Sequence, residues 1–293
     1  MNLIVGATGM VGGEICRLLA ERRKRVRALV RETSSPESVA RLKGLGVEIV
    51  HGDLKDRASL DRACRGVTTV ISTATSTRSA REGDTLASVD HQGQLDIIDA
   101  AKAAGIERFI FISFPPVDIE FPLQSAKRGA EELLKQSWMT YTILQPTFFT
   151  EVWLSPALGF DIANETARIY GEGENKISWI SFQDVAKFAV SALDASNAKN
   201  AVIKLGGPQA LSPLECVRLA EQTVRKQFTV EHVPEEALRA QYEAATDPMQ
   251  KSFAALMLFY AGGSTIDMTE TLRLLPVQPV KTIREYLQAA AAN

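Results

Sequence analysis

Gly6, Gly9 and Gly12 stand in the run Gly6-Ala7-Thr8-Gly9-Met10-Val11-Gly12, a G-x-x-G-x-x-G spacing whose residue types can do chemistry. Glycine lets a backbone turn tightly and approach a ligand without a Cβ in the way. The run lies between an apolar strand, Leu3–Gly6, and a helix with Val11, Ile15, Leu18 and Leu19 on one face. In that context the loop fits a pyrophosphate laid on the N–H groups that open a helix. A glycine triplet alone also makes ordinary turns; the strand–loop–helix setting is what favours the ligand. Gly6, Thr8, Gly9, Met10, Val11 and Gly12 are therefore candidate dinucleotide contacts, with Gly12 admitting close helix–strand packing.

The second strand, Val26–Val30, ends at Arg31. Where an acid would take the ribose 2′-OH of NAD, a guanidinium suits the 2′-phosphate of NADP. Thr33, Ser34 and Ser35 follow with hydroxyls, and Glu32 would favour NAD if it faced the ribose. The fourth strand runs into Ser72-Thr73-Ala74-Thr75, small residues against which a ligand can lie in the crevice at the strand ends. Lys127 shares a helical face with Ala130 and Leu134, the side that should meet the sheet, where a lysine needs something to hold. The competing reading is an i,i+4 pair with Glu131, in the weaker orientation. Past residue 147, Phe148, Phe149, Trp153, Phe160, Tyr170 and Trp179 concentrate the aromatic content. They make either an apolar pocket or the core joining two lobes.

The elements that must position these residues alternate. Strands at Leu3–Gly6, Val26–Val30, Val47–Val50, Val67–Ser72, Phe109–Ser113 and Thr140–Leu144 are separated by helical patterns, among them Ser88–Ala104 and Ser125–Gln136. That spacing means βαβ units and a parallel sheet covered on both faces. Thr147–Ser178 has no clean period, Ser181–Leu193 is helical, Ala201–Leu205 is a late strand, and everything from Ser212 on reads as helix. The expected fold is α/β, a doubly wound parallel Rossmann sheet with a smaller, discontinuous, mostly helical C-terminal lobe for substrate. The expected division is 1–150 plus 182–206 for the nucleotide domain and 151–181 plus 207–293 for the lobe.

With the glycine loop, Arg31 and the later stretches together, the chain resembles the atypical short-chain dehydrogenases/reductases, in particular the NmrA-like group with its isoflavone-reductase-type and quinone-reductase-type members. The resemblance covers nearly the whole chain and is most specific over the first 205 residues. It implies NADP(H) as cofactor, with NAD(H) as the alternative, Asp53 on the adenine with Leu54 packed on its ring, and Pro146 and Phe148 near the nicotinamide carboxamide. Asp53 or Asp56 as a helix cap is the bland alternative. Short-chain reductases pair a serine with a tyrosine four residues before a lysine. Ser113 and Lys127 match, but the tyrosine position is Leu123. Lys127 is then an acid/base in its own right, as in the isoflavone-reductase branch, or only an anchor for the cofactor, as in NmrA-like regulators. The first implies a hydride passed to a small conjugated carbonyl, quinone or aromatic acceptor, with Phe114, Phe149, Trp153 and Tyr170 as substrate contacts. The second implies a catalytically inactive NADP(H) sensor or scaffold.

Composition excludes much else. The 293 residues carry 33 Lys+Arg against 35 Asp+Glu, a net charge of -2, so nothing in bulk electrostatics points to nucleic acid or an anionic membrane. The basic run Arg22-Arg23-Lys24-Arg25 ends a helix, where cations suit the dipole. Three scattered cysteines and three separated histidines offer neither a disulfide framework nor metal-ligand spacing, so no metal is expected. With its first residues already a strand and its longest apolar run, Phe253 to Gly263, far short of a bilayer, the chain is expected to be cytoplasmic, a monomer or homodimer acting on a small molecule.

Overall fold

Leu3, Ile4 and Val5 are apolar in succession, and the reason is that both faces of their strand are covered. Leu3 and Val5 join Val70, Phe109 and Phe111 in one core cluster, while Ile4 joins Ala28, Ile71 and Ile110 in the cluster on the opposite face. A computed structural model describes residues 1–79, 81–278 and 280–292. The first part alternates β1 (Asn2–Val5), α1 (Met10–Glu21), β2 (Val26–Val30), α2 (Pro36–Gly44), β3 (Glu48–His51), α3 (Arg57–Ala63) and β4 (Thr69–Ser72). A π-helical segment, Leu86–Gln92, leads into α4 (Gly93–Ala103), β5 (Arg108–Ile112), α5 (Pro122–Gln136) and β6 (Thr140–Pro146).

After β6 come α6 (Thr150–Trp153), β7 (Phe160–Asp161), β8 (Thr166–Tyr170), α7 (Phe182–Asp194) and β9 (Ala201–Leu205). The remainder is α8 (Pro213–Val224), β10 (Thr229–Val233), α9 (Glu235–Ala244), α10 (Pro248–Gly262), α11 (Thr269–Leu274) and α12 (Ile283–Ala291). Seven strands form one all-parallel sheet in the order β3-β2-β1-β4-β5-β6-β9. Strand order reverses between β1 and β4, which opens a crevice above their carboxyl ends. The expected α/β doubly wound sheet is what the chain forms.

Three local readings differ from the expectation. The last third is not all helix: Thr229–Val233 is a strand that pairs in parallel with β8, which pairs with β7 in turn to make a second, three-stranded sheet. The helix expected from Ser125 begins at Pro122, whose fixed φ and missing N–H suit a first helical position. The helix expected over Ser88–Ala104 opens as the π-helical segment, with Thr85 and Ser88 forming a reciprocal capping box. Other signals read from sequence hold: Ser212 and Glu215 cap α8 reciprocally with Pro213 at its start, and Gly105 follows α4 with φ +72°.

Candidate active site

A cavity of about 690 Å³ runs from the glycine loop across the strand ends to α10. It brings together residues far apart in sequence: Gly6, Thr8, Gly9, Met10 and Val11 at its start, Arg31, Asp53, Leu54, Thr73 and Ala74 beside them. Ser113, Lys127, Pro146 and Phe148 line its middle, and Phe114, Phe149 and Trp153 its far wall. Two candidates stand apart. Gly12 lies behind the loop: a Cβ there would sit 2.3 Å from the Gly6 carbonyl oxygen, so its role is close packing of α1. Tyr170 is not on the wall; it meets Tyr260 edge-on at 5.4 Å and donates its hydroxyl to the Leu158 carbonyl.

The loop has the shape of a cradle. Gly6 has φ +84°, and a Cβ on it would lie 2.8 Å from the Ala74 backbone nitrogen. Gly9 is the N-cap of α1 with no side-chain cap, and no acid stands in the first turn, so the opening N–H groups of the helix face the cavity without a protein anion on them.

Beside the loop, Arg31 is not a solvated cation. Its Nη1 and the Lys55 ammonium both bond the Asp84 carboxylate, whose side chain is 2% exposed, and Ser79 adds a third hydrogen bond. Burial alone would raise Asp84, but the hydrogen bonds from Lys55, Ser79 and Arg31 outweigh it and hold the carboxyl at about 2. Of the three hydroxyl residues after Arg31, Ser35 is spent capping α2 and Thr33 is held by Arg81. Ser34 lines the cavity with a buried Oγ that has no partner among the described residues. Glu32 is turned outward, 81% exposed and 3.2 Å from His51, so it does not face the ribose position. Asp56 caps α3, which leaves Asp53 on the cavity wall.

In the middle of the cavity Lys127 reaches across to the π-helical segment. Its Nζ lies 3.6 Å from Asp90 Oδ1 and 5.0 Å from the centre of the Phe111 ring, with both charged side chains buried. Asp90 is fixed by its other oxygen, which accepts from the Ser76 amide at 2.8 Å and hydroxyl at 2.6 Å, while Oδ1 has no hydrogen bond among the described residues. Burial pushes the Lys127 ammonium below the usual lysine range, and Asp90 opposes that shift. The i,i+4 pair with Glu131 does not form; Glu131 pairs with Arg128 and accepts from Gln145 instead.

Beyond Lys127 the wall is aromatic. Phe148 packs edge-on against Trp153 at 4.8 Å and lies 5.0 Å from Phe259, and α10 adds Phe253 and Leu256. Trp179 and Phe160 are buried core. This end of the cavity is largely apolar, with Ser113, Lys127, Thr147, Glu151 and Ser155 among the polar residues that line it. Asp90, Asp84, Arg128 and the α10 residues were not found from sequence. Asp90 had a signal: it is an acid on the face of Leu86, Val89, Ile97 and Ile98, otherwise an apolar helical stripe. The run Phe253–Gly263, apolar all round, is long enough only for a helix that is covered on every side or walls a cavity.

The NmrA-like family model matches residues 2–287. The chain belongs to the NmrA-like family. Among its relatives, the NAD(P)H azoreductase of Xenophilus azovorans is 30% identical over 300 residues, which is 100% of this chain and 98% of the azoreductase. The photosystem II assembly factor Ycf39 of Trieres chinensis is 32% identical over 239 residues, 79% of this chain and 72% of the assembly factor. The NADPH-dependent quinone oxidoreductase of Escherichia coli, solved with NADPH, superimposes with a TM-score of 0.77 at 22% identity, covering 99% of each chain. In this NmrA-like chain, Leu123 stands four residues before Lys127 and lines the same cavity, so a leucine and not a phenol stands at that position. Among the described residues no helix is long and apolar enough to cross a membrane, and no cluster of His, Cys, Asp or Glu is placed to hold a metal ion.

Proposed function

We propose that the chain is an NADPH-dependent reductase that passes a hydride to a small conjugated carbonyl, quinone or comparable aromatic acceptor. The observation that carries this reading is one continuous cavity joining a phosphate cradle, a buried lysine and an aromatic wall. The residues fit the coenzyme. Gly9 opens α1 with no side-chain cap and no acid in the first turn, which leaves its first N–H groups for a phosphate, and the buried Ser34 hydroxyl has no partner among the described residues. Gly9, Met10 and Val11 would hold the pyrophosphate, Arg31 and Ser34 the 2′-phosphate, Asp53 and Leu54 the adenine, and Thr73, Ala74, Pro146 and Phe148 the nicotinamide half.

When bound, the coenzyme supplies a hydride from its nicotinamide ring. The chain's own part is to orient the ring, exclude water with Phe148, Trp153 and Phe259, and hold a proton on Lys127 Nζ near the acceptor. A quinone needs little more, because its reduced oxyanion is stable enough to take a proton from water. The azoreductase and quinone oxidoreductase relatives support oxidoreduction as the reading for this chain.

The Ycf39 relative favours a second reading, a dinucleotide-sensing assembly or scaffold protein. Calorimetry with NADPH and NADH, followed by NADPH oxidation across a panel of quinones, enones and azo compounds, separates the two. Steady turnover on any acceptor supports the reductase. Tight NADPH binding with no turnover, and a protein partner captured in only one redox state, supports the sensor; no binding of either coenzyme removes both.

A further inference from the structure

Arg128, the residue after Lys127 on α5, is turned inward. Its Nη2 donates to Ser113 Oγ at 3.1 Å and to the Phe114 carbonyl at 2.5 Å. Nη1 lies 3.2 Å from Glu131, and the guanidinium carbon sits 5.3 Å from the centre of the Phe114 ring. Glu131, 3% exposed, is anchored in turn by Gln145. A helix-surface arginine needs none of this.

The consequence falls on Ser113. A hydroxyl has one proton to give and two lone pairs. Here one lone pair is taken by a cation, so the proton points elsewhere, and among the described residues it finds no acceptor. Ser113 lines the cavity, as do Lys127 and Phe148. A donor with a positive charge behind it gives a stronger hydrogen bond to an anion than to a neutral atom.

We infer that Arg128 is a positioning residue that aims the Ser113 hydroxyl at the atom of the acceptor on which negative charge develops, so that the serine stabilises that charge while Lys127 supplies the proton. The inference rests on the reductase reading. Hydride adds to the acceptor's electrophilic carbon, and the C=O π pair moves onto oxygen. The acceptor is thereby reduced by two electrons and NADPH oxidised. The oxyanion accepts the Ser113 hydrogen bond without taking that proton. The proton that completes the reduction comes from the Lys127 ammonium, which solvent recharges.

The test uses stable anion mimics and needs no turnover. Substituted phenols, whose ionised and neutral forms differ in absorbance, are titrated into the full chain with NADP⁺ present. Wild type is expected to favour the phenolate. Ser113→Ala and Arg128→Gln should each lose on the order of tenfold in phenolate affinity with affinity for the neutral phenol unchanged, and Arg128→Lys should keep part of the preference. Kinetics add a second readout. Ser113→Ala should slow a conjugated ketone, whose reduced oxyanion is strongly basic, by on the order of 100-fold in kcat, and a quinone by only about threefold.

Phenolate and phenol bound by Ser113→Ala as by wild type, or an equal loss on every acceptor, would overturn the inference. Ser113→Ala removes one oxygen atom and keeps the test decisive even if Arg128→Gln does not fold. A wild type that turns over no acceptor sinks the reductase reading instead, and the phenol titration still scores Ser113.

Discussion

Lys127 is held where an ammonium is costly, buried against Phe111, and Asp90 answers it from 3.6 Å. Burial dominates, so the proton comes off below the ordinary lysine range even with that carboxylate present. Asp90→Asn keeps the burial and removes the counter-charge, leaving Arg128 to lower the ammonium and Glu131 to raise it. The expected outcome is that the basic limb of kcat/KM with a conjugated ketone moves to lower pH; an unmoved limb would separate Lys127 from the proton transfer. Asp84 runs the opposite way. Its carboxyl is held at about 2 against an ordinary 3.8, so the clamp stabilises the fold above the unfolded value and loses that contribution as pH falls from 3.8 towards 2. At about 1.4 kcal/mol per pKa unit, the clamp contributes about 2 kcal/mol at neutral pH. Urea unfolding of wild type against Asp84→Asn should show at least about that gap at pH 6, narrowing below pH 3.8.

At the scale of elements, the glycine loop and α1 act as one part. Gly12 has no room for a methyl group, since a Cβ would lie 2.3 Å from one backbone atom and 2.7 Å from the next. Gly12→Ala must push α1 off β1, at a cost of about 1–3 kcal/mol, and should weaken NADPH by more than tenfold in calorimetry. Gly44, in the last turn of α2 with nothing within 4 Å of where a methyl group would sit, is the control. Gly44→Ala should raise stability by about 0.4–1 kcal/mol and leave binding as it was. This part was legible because its signal is local: glycine spacing and a 3.6-residue period lie within one stretch of chain. The clamp on Arg31 was not, since Asp84 is 53 residues away and only tertiary folding brings it near. Thr229–Val233 escaped for another reason. Most of its residues are exposed and, among the described residues, it pairs with β8 alone, so Glu231 and His232 break the apolar pattern that marks a buried strand.

For the whole molecule, what matters is that the cavity wall is drawn from most of the chain, from Val5 in the first strand to Phe259 in α10. The roof is tied directly to the lysine's helix: the Leu123 amide donates to Ser252 at 3.1 Å and the Tyr242 hydroxyl to the Glu120 carbonyl at 2.6 Å. Phe121 and Leu123 share a core cluster with Ala255, so α5 and α10 also bury apolar surface against each other. A ligand that fills this space holds the sheet and the C-terminal helices in one assembly, and a ligand that binds only the folded state stabilises it by mass action. At a hundred times its Kd, NADPH should contribute about 2.7 kcal/mol, which for a chain of this size raises Tm by about 4 °C. Calorimetry should show the entire transition moving as a single peak. Two peaks, of which only the lower-melting or the higher-melting one responds to NADPH, would mean that α10 closes the cavity without sharing its stability, and that the acceptor end can open while the coenzyme stays bound.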